Sequence, residues 1–546
     1  EDHRLNVPWR ALIPGVLCLS LARGWQMDAS LRDWAQILWA DALLLVRLWA
    51  VFLAVSWLLD RCAQGTRRTV MGLGLTFCLS SMAALDVYFA EAGVPLGADL
   101  FAYTWSEVAT TVSGAGLHLP WGVVLAWALG CAAGWFLIIR SERHLWRRPA
   151  LMGALALTLV ASAVLPWRVG NGADEADMRR DNKLSFWLQE VWAHLHADAD
   201  VAPESAAFPF ERAEATPDTL GPYFNLDLHN PPHIVVVVVE GLGRSFSGPG
   251  ARLGSFTPFL DRLSERSLYW ANFLATQGRT FAVLPSLLSS LPFGPHGEEP
   301  KPHHSLPGWL KKNGYALRYF TGTNLTFDHQ GDFLNSLGFD VLWGEQNFGA
   351  GLTKVSEWGY ADADLMDAVL GQPWPAKPSL TLVQTMSMHS PFLVTRMEHY
   401  RAKARAHIER LGLGGEARRE ALKYLDVYAS VLHTDEALER LWSRIEASPQ
   451  GKNTVLIVTG DHRLPEIPMQ THLERYHVPL LIHSPLLLRP ARIKSVSSHV
   501  DVAPSVLALL SHRYGWPSPE RVHWVGNGLD MHPQFRNLHD VALKQI

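Results

Sequence analysis

The chain has 546 residues, too many for one compact domain, and a formal net charge of −4. With no basic run, this balance leaves no footprint for nucleic acid. The four cysteines, Cys18, Cys62, Cys78 and Cys131, lie in or at the edge of the apolar N-terminal third. The rest of the chain therefore has no disulfide framework, no cysteine nucleophile and no cysteine metal ligand.

The N-terminal third, residues 1–168, reads as five membrane spans. Leu117 to Ile139 and Pro149 to Trp167 carry no charge and approach bilayer length. Thr69 to Ala90 contains one acid, Asp86. Trp34 to Leu59 contains Asp41 and Arg47, which must face protein, water or each other. Ala11 to Ala22 is the shortest. A cleaved leader is the rival reading there, but no small-residue cleavage site follows. The segment 61–68 has three arginines and 140–148 has four, whereas 92–120 has neither Arg nor Lys. The positive-inside rule makes the arginine loops cytoplasmic and places everything after Trp167 on the outer side.

Residues 169–232 read as a connector. Lys183 to Leu195 has helical spacing, with Phe186, Trp187, Val191 and Leu195 on one flank. Such a helix can lie on a membrane surface or pack against the soluble domain. Ala199 to Pro232 is rich in Pro, Ala and acids and reads as extended linker.

From 233 to 546 strand and helix signals alternate, which predicts an α/β domain with a mostly parallel central sheet and helices on both faces. His233 to Val239 is β-branched and apolar after its leading histidine, the pattern of a strand buried on both sides. It ends in Glu240, then Gly241, Leu242 and Gly243, at the strand end where open α/β sheets place ligands. Thr257-Pro258 opens a helix with an N-cap and a Pro at its first position. Ala316 to Phe320, Leu380 to Thr385, Thr454 to Thr459 and Val478 to Ile482 read as strands. Ala417 to Glu446 reads as one long amphipathic helix. The strand ending at Thr459 runs into Gly460, Asp461 and His462. Two core strands that deliver Glu, Asp and His to one sheet edge suggest a metal site.

A candidate nucleophile lies between these strands. Gln277-Gly278-Arg279-Thr280 precedes an apolar run that looks helical, with Pro285 tolerable only in a first turn. A hydroxyl at a helix start meets free backbone N–H groups, a natural phosphate position. A divalent metal held by Glu240, Asp461 and His462 could lower its pKa. An ordinary N-cap threonine is the plainer alternative.

These residues resemble the lipoteichoic acid synthase group, the phosphoglycerol transferases of the alkaline phosphatase/sulfatase superfamily. Further landmarks are Met388-His389-Ser390-Pro391-Phe392, Phe320 to Asn324, Asn335 to Phe339, His477 to Ile482 and His499 to Ser505. The resemblance implies five spans, a connector helix and an extracytoplasmic catalytic domain in the bacterial cytoplasmic (inner) membrane. It implies Glu240, Thr280, Asp461 and His462 as metal shell, with Thr280 the nucleophile. His389 would contact the substrate phosphate or assist the leaving group. Asn324, Asp328, His329 and Asp332 fall where the group binds its head group, although the spacing departs from the Gram-positive synthases. On chemistry alone, Arg279 could pair with a phosphate oxygen, and His472 and His477 are lesser candidates.

The function expected is transfer of a phosphoglycerol or phosphoethanolamine head group from a membrane phospholipid to a glycan or lipid acceptor through a phospho-threonine. The alternatives are a phosphodiesterase or phosphatase of the same superfamily, and an inactive membrane scaffold or glycan-binding subunit. Sulfatase activity is disfavoured because Ser290-Leu291-Pro292-Phe293-Gly294 has no Arg. Absence of cysteines in the soluble part disfavours the disulfide-braced transferases acting on lipid A. The oxygen-rich shell with one nitrogen predicts one divalent cation, Mn²⁺ favoured, with Mg²⁺ or Zn²⁺ compatible. His499 and Asp501 read as the cap of the following helix rather than as ligands for a second metal.

Overall fold

The computed structural model describes residues 11–27, 29–59, 62–92, 95–97, 100–101, 104–114, 121–140, 153, 156–158, 160–161, 164–166, 175–196, 212–280, 283–291, 305–541 and 543. The chain forms two compact units, one of residues 1–100 and 117–201, the other of residues 101–116 and 202–546.

The first unit is helical: α1 (Leu12–Gln26), α2 (Leu31–Leu58), α3 (Gln64–Ala92) and, after a segment that belongs to the second unit, α5 (Trp121–Arg140). Among the described residues three helices are long and apolar enough to cross a membrane, at Leu31–Val55, Gln64–Ala90 and Trp121–Arg140. This corrects the expectation of five. The helix α1 has only 15 residues, short of the roughly 20 a crossing takes. Its Gly15 lies so close to α5 that a Cβ on Gly130 would stand 2.6 Å from the Gly15 Cα, the close approach small residues allow. The expected span 149–167 lies largely outside the described residues. Asp41 and Arg47 do not pair with each other. Asp41 meets Arg23 of α1 at 3.1 Å, while Arg47 donates to the carbonyls of Leu43, Leu165 and Pro166. The helix Lys183–His196 packs Leu184, Trp187 and Leu188 against this unit's apolar core and leaves Leu195 exposed.

The second unit contains α4 (Trp105–Gly114) and an eight-stranded sheet. Its strands are β2 (His233–Val239), β3 (Leu268–Leu274), β4 (Ala316–Thr321), β5 (Val341–Trp343), β6 (Ser379–Gln384), β7 (Thr454–Gly460), β8 (His477–His483) and β9 (Ala491–Ser498). The order is β5-β4-β6-β2-β7-β8-β3-β9. Only β8 runs against the rest, so the sheet is mixed. The central strand β2 alternates between two cores. Ile234, Val236 and Val238 face the helices Val283–Ser289, Leu306–Lys312 and Val502–Tyr514, and Val235, Val237 and Val239 face Pro258–Ser264, Asp362–Gly371 and Leu425–Glu446. Burial on both faces explains its unbroken β-branched run.

Three local readings change. The long helix expected from Ala417 breaks at Tyr424 into Gly415–Lys423 and Leu425–Glu446. Thr257 precedes the Pro258 helix but its side chain bonds Ser247, and the capping carboxylate is Asp435, which accepts from the N–H groups of Phe259 and Leu260. Residues 212–232, read as linker, are in part built into the unit: β1 (Arg212–Ala213) pairs with β10 (Arg521–Val522), and Phe224 bridges Leu487.

Candidate active site

The sheet register brings the chemistry to one edge. In the parallel pair β2 and β7, Val239 lies opposite Gly460, so the next residues, Glu240 and Asp461, emerge side by side. The parallel pair β2 and β6 matches Val238 with Gln384, and Thr385 just beyond accepts the Glu240 N–H at 3.0 Å. Strand β8 starts at this same edge because it is reversed, and β3 ends there, with Leu274 opposite His477. The segment after β3 delivers Thr280.

Thr280 Oγ1 lies 2.9 Å from Glu240 Oε2, to which it donates, and 3.3 Å from His462 Nε2. His462 Nε2 is 3.5 Å from Glu240 Oε1 and 3.6 Å from Asp461 Oδ2. His462 Nδ1 is 3.1 Å from the Arg463 carbonyl. A carbonyl only accepts, so Nδ1 carries the proton and the Nε2 lone pair faces the cluster. Asp461 Oδ1 accepts from the backbone N–H groups of Gly241 and His462, both at 2.7 Å, which fixes the carboxylate.

The electrostatics ask for a cation. Burial, and then the neighbouring Asp461 charge, push Glu240 well above the ordinary carboxylate range. Burial pushes His462 down, so its imidazole stays neutral and able to ligate. Asp461 Oδ2 is buried without a hydrogen-bond partner, a costly state unless a cation meets it. Ligand atoms of Glu240, Asp461 and His462 lie within 4.8 Å of one another, and this is the one such group among the described residues.

Residues 232–512 match the model of the sulfatase family. The chain belongs to the sulfatase family. Among its relatives is phosphoglycerol transferase I of Salmonella paratyphi B, 26% identical over 439 residues, which cover 76% of this chain and 51% of that protein. Phosphoglycerol transferase I of Xanthomonas euvesicatoria is 26% identical over 252 residues, covering 43% of this chain and 34% of that one. The chain thus spans about half or less of the length of these curated relatives. A solved structure, the lipoteichoic acid synthase LtaP from Listeria monocytogenes, is 18% identical with a TM-score of 0.45, covering 56% of this chain and 79% of that chain.

The other candidates divide around this sulfatase-family site. His389 follows β6 at the active edge, half-buried, with Nδ1 2.9 Å from the Ser390 carbonyl and its ring 4.3 Å from that of Trp358. Burial lowers its pKa, opposed by the Asp461 charge. Arg279 is half-buried beside Thr280. Asn324 is exposed beyond β4, and its side-chain oxygen accepts from Thr326 within its own turn. His329 and Asp332 form an exposed pair at 3.6 Å. His477 is structural, with Nε2 2.7 Å from the Ala271 carbonyl. His472 sits in a short turn with its ring against Tyr476. His499 Nε2 lies 2.9 Å from the Gly460 carbonyl, and Asp501 accepts the Ser498 N–H at 2.8 Å, as a cap does. The helix after the nucleophile begins at Val283 with Pro285 in its first turn. Ser290 is fully buried and bonded to Val500 and Gly526, which suits packing and not chemistry.

Supporting residues were missed from the sequence. Arg463 is fully buried and donates to Ser245 and to the carbonyls of Leu464, Ile467 and Pro468, bracing the loop after the Asp-His pair. Arg475 donates to the Gly278 carbonyl. Asp362 accepts from the N–H groups of Met386 and Ser387 and so shapes the segment leading to His389. An arginine directly after Asp461-His462 was the available signal for Arg463. The other two contacts span long sequence distances and leave none.

Proposed function

We propose that this chain is a membrane-anchored, metal-dependent transferase that moves a phosphoglycerol or phosphoethanolamine head group from a phospholipid to an envelope glycan or lipid. The observation that carries this reading is the Thr280 hydroxyl set 2.9 Å from Glu240 and 3.3 Å from His462, beside the partnerless Asp461 Oδ2. The relatives named phosphoglycerol transferase I support the head group. Three long apolar helices support a lipid-borne donor, and the arginine-rich segments, with 149–167 as a further crossing, favour a catalytic unit on the outer face of a bacterial inner membrane.

Thr280 Oγ attacks the donor phosphorus, a Thr280–phosphate bond forms, and the bond to the diacylglycerol oxygen breaks. The Thr280 proton passes to Glu240, its hydrogen-bond acceptor. The departing diacylglycerol oxygen takes up a proton from solvent. An acceptor hydroxyl then attacks the phosphorus and gives up its proton to solvent, the Thr280–phosphate bond breaks, and Thr280 takes back the proton held by Glu240. His389 contacts the phosphate or the leaving oxygen, and Arg279 and Asn324 hold the head group. A single divalent ion, Mn²⁺ for preference and Mg²⁺ or Zn²⁺ as substitutes, held by Glu240, Asp461, His462 and Thr280, would lower the hydroxyl's pKa and offset phosphoryl charge.

The test is release of labelled head group from phosphatidylglycerol or phosphatidylethanolamine by wild type and Thr280→Ala. Equal release by both would sink the mechanism. Label found on a glycan or lipid acceptor supports transfer, whereas free head group alone would assign the same site to a hydrolase.

A further inference from the structure

The segment 101–116 lies between α3 and α5 in the chain yet groups with the catalytic unit. Its helix α4 starts with Thr104-Trp105-Ser106-Glu107, a capping box. Glu107 Oε2 accepts from the Thr104 N–H at 2.6 Å and hydroxyl at 2.8 Å, and the Glu107 N–H donates back to the Thr104 hydroxyl at 3.3 Å. A capping glutamate is ordinarily solvated, but Glu107 is only 7% exposed. Its second oxygen, Oε1, accepts the Asp328 N–H at 2.7 Å, from 221 positions away.

That amide belongs to a turn under strain. Asp328 and His329 both hold left-handed backbone, at φ 53° and 51°, a region disfavoured for L side chains although Asp and His enter it more readily than most. Strained pairs persist where surroundings hold them. On the other side of the turn, Phe327 packs edge-on against Trp358 at 5.4 Å, and Trp358 packs on the His389 ring at 4.3 Å. Trp358 has little freedom to follow a displaced turn, because the next residue, Gly359, lies so close to β4's end that a Cβ would stand 2.0 Å from the Gly322 carbonyl. Burial pushes Glu107 up, but the Thr104 and Asp328 amides outweigh it and hold the carboxylate below its ordinary pKa. The group is therefore an anion at neutral pH, and its hydrogen bonds are charge-assisted.

We propose that Glu107 is a positioning residue: through the Asp328 amide it sets the 327–329 turn and, with it, the Phe327–Trp358 wall that packs on His389. An N-terminal segment thereby shapes the donor side of the catalytic centre. The consequence for catalysis rests on the transferase reading above, whereas the contact itself does not.

The experiment uses the full chain with Glu107→Ala and Glu107→Gln. Hydrogen exchange across 324–332 should be at least about tenfold faster in Glu107→Ala, the loss of one charge-assisted bond. Glu107→Gln keeps one accepting oxygen and should recover part of the protection. With phosphatidylglycerol as donor, Glu107→Ala should raise KM about fivefold or more while kcat changes less than twofold, with the thermal midpoint of the catalytic unit unaltered. Unchanged exchange overturns the proposal. Faster exchange in an enzyme whose KM stays at the wild-type value, or a fall in kcat that merely tracks lost stability, also overturns it. A wild type that releases no head group would defeat the proposed function instead, and the exchange result would still decide the Glu107 contact.

Discussion

Arg475 Nε donates to the Gly278 carbonyl at 2.9 Å, tying the segment that enters β8 to the segment that delivers Thr280. The two meet because β8 is the single reversed strand, so its start shares an edge with the end of β3. Gly278 is small by necessity: a Cβ there would stand 2.8 Å from Arg475 Nε.

Arg475→Lys should therefore lower head-group release while metal content stays at the wild-type level. A hydrogen bond from a charged donor contributes about 1.5–3 kcal/mol, so turnover should fall about 10- to 100-fold. Steady-state rates and elemental analysis on the same preparation check this. Full turnover in the variant would mean that Thr280 is positioned without the arginine.

The metal cluster gives a second prediction. Asp461→Asn and His462→Ala should each lose the bound ion and more than about 100-fold in turnover, beyond the range seen when only outer-shell partners are altered. Chelation of the wild type should do the same, with Mn²⁺ restoring the most activity. Elemental analysis should find one ion per chain. Two ions per chain, or a wild-type level in either variant, would contradict the proposed shell.

Much of this site was legible because strand ends carry it. An apolar run ending in Glu240 and another ending in Asp461-His462 become neighbours once β2 and β7 pair in register, and the strand pattern alone suggested that pairing. Thr280 was legible from its glycine approach and the apolar run after it. The third carboxylate, Asp362, and Arg475 were not, since they act across 24 and 197 positions on backbone groups that no local pattern marks, while Arg463 braces its own loop and was marked only by its place after Asp461-His462. The membrane count differs among the described residues for another reason: hydropathy registers that α1 is apolar but not that its helix ends after 15 residues, and 149–167 lies largely outside the described residues. The break at Tyr424 was hidden because an amphipathic pattern can continue across a change of helix axis.

Gly460 offers a test of the register itself. A Cβ at this position would stand 2.2 Å from the Leu242 carbonyl oxygen, a backbone atom that cannot rotate away. Gly460→Ala should cost about 1–3 kcal/mol, the range for forced overpacking, and displace Asp461 from its backbone donors. Thermal unfolding of the catalytic unit should shift down and metal occupancy should drop with it. A variant with wild-type midpoint and metal content would show that the end of β7 and the turn after β2 approach less closely than described.

The last prediction concerns Asp435, which caps the Pro258–Ser264 helix from a distance, accepting at 2.7 Å from Phe259 and 3.1 Å from Leu260. Burial pushes its pKa up from 3.8 to about 7, overcoming the opposite pull of these two amides. The sign follows from linkage. Between the unfolded and folded values the native chain holds a proton that the unfolded chain has released, so this group stabilises the fold at the acid end of that window. That contribution falls as pH rises through about 7 and is gone above it. Its full size is on the order of a few kcal/mol. Denaturant unfolding of the catalytic unit at pH 5 and pH 8 should give a steeper loss of stability in wild type than in Asp435→Asn, which keeps one accepting oxygen but cannot titrate. Parallel pH slopes in the two proteins would show that Asp435 stays ionised in the fold and that the amides, not burial, control it.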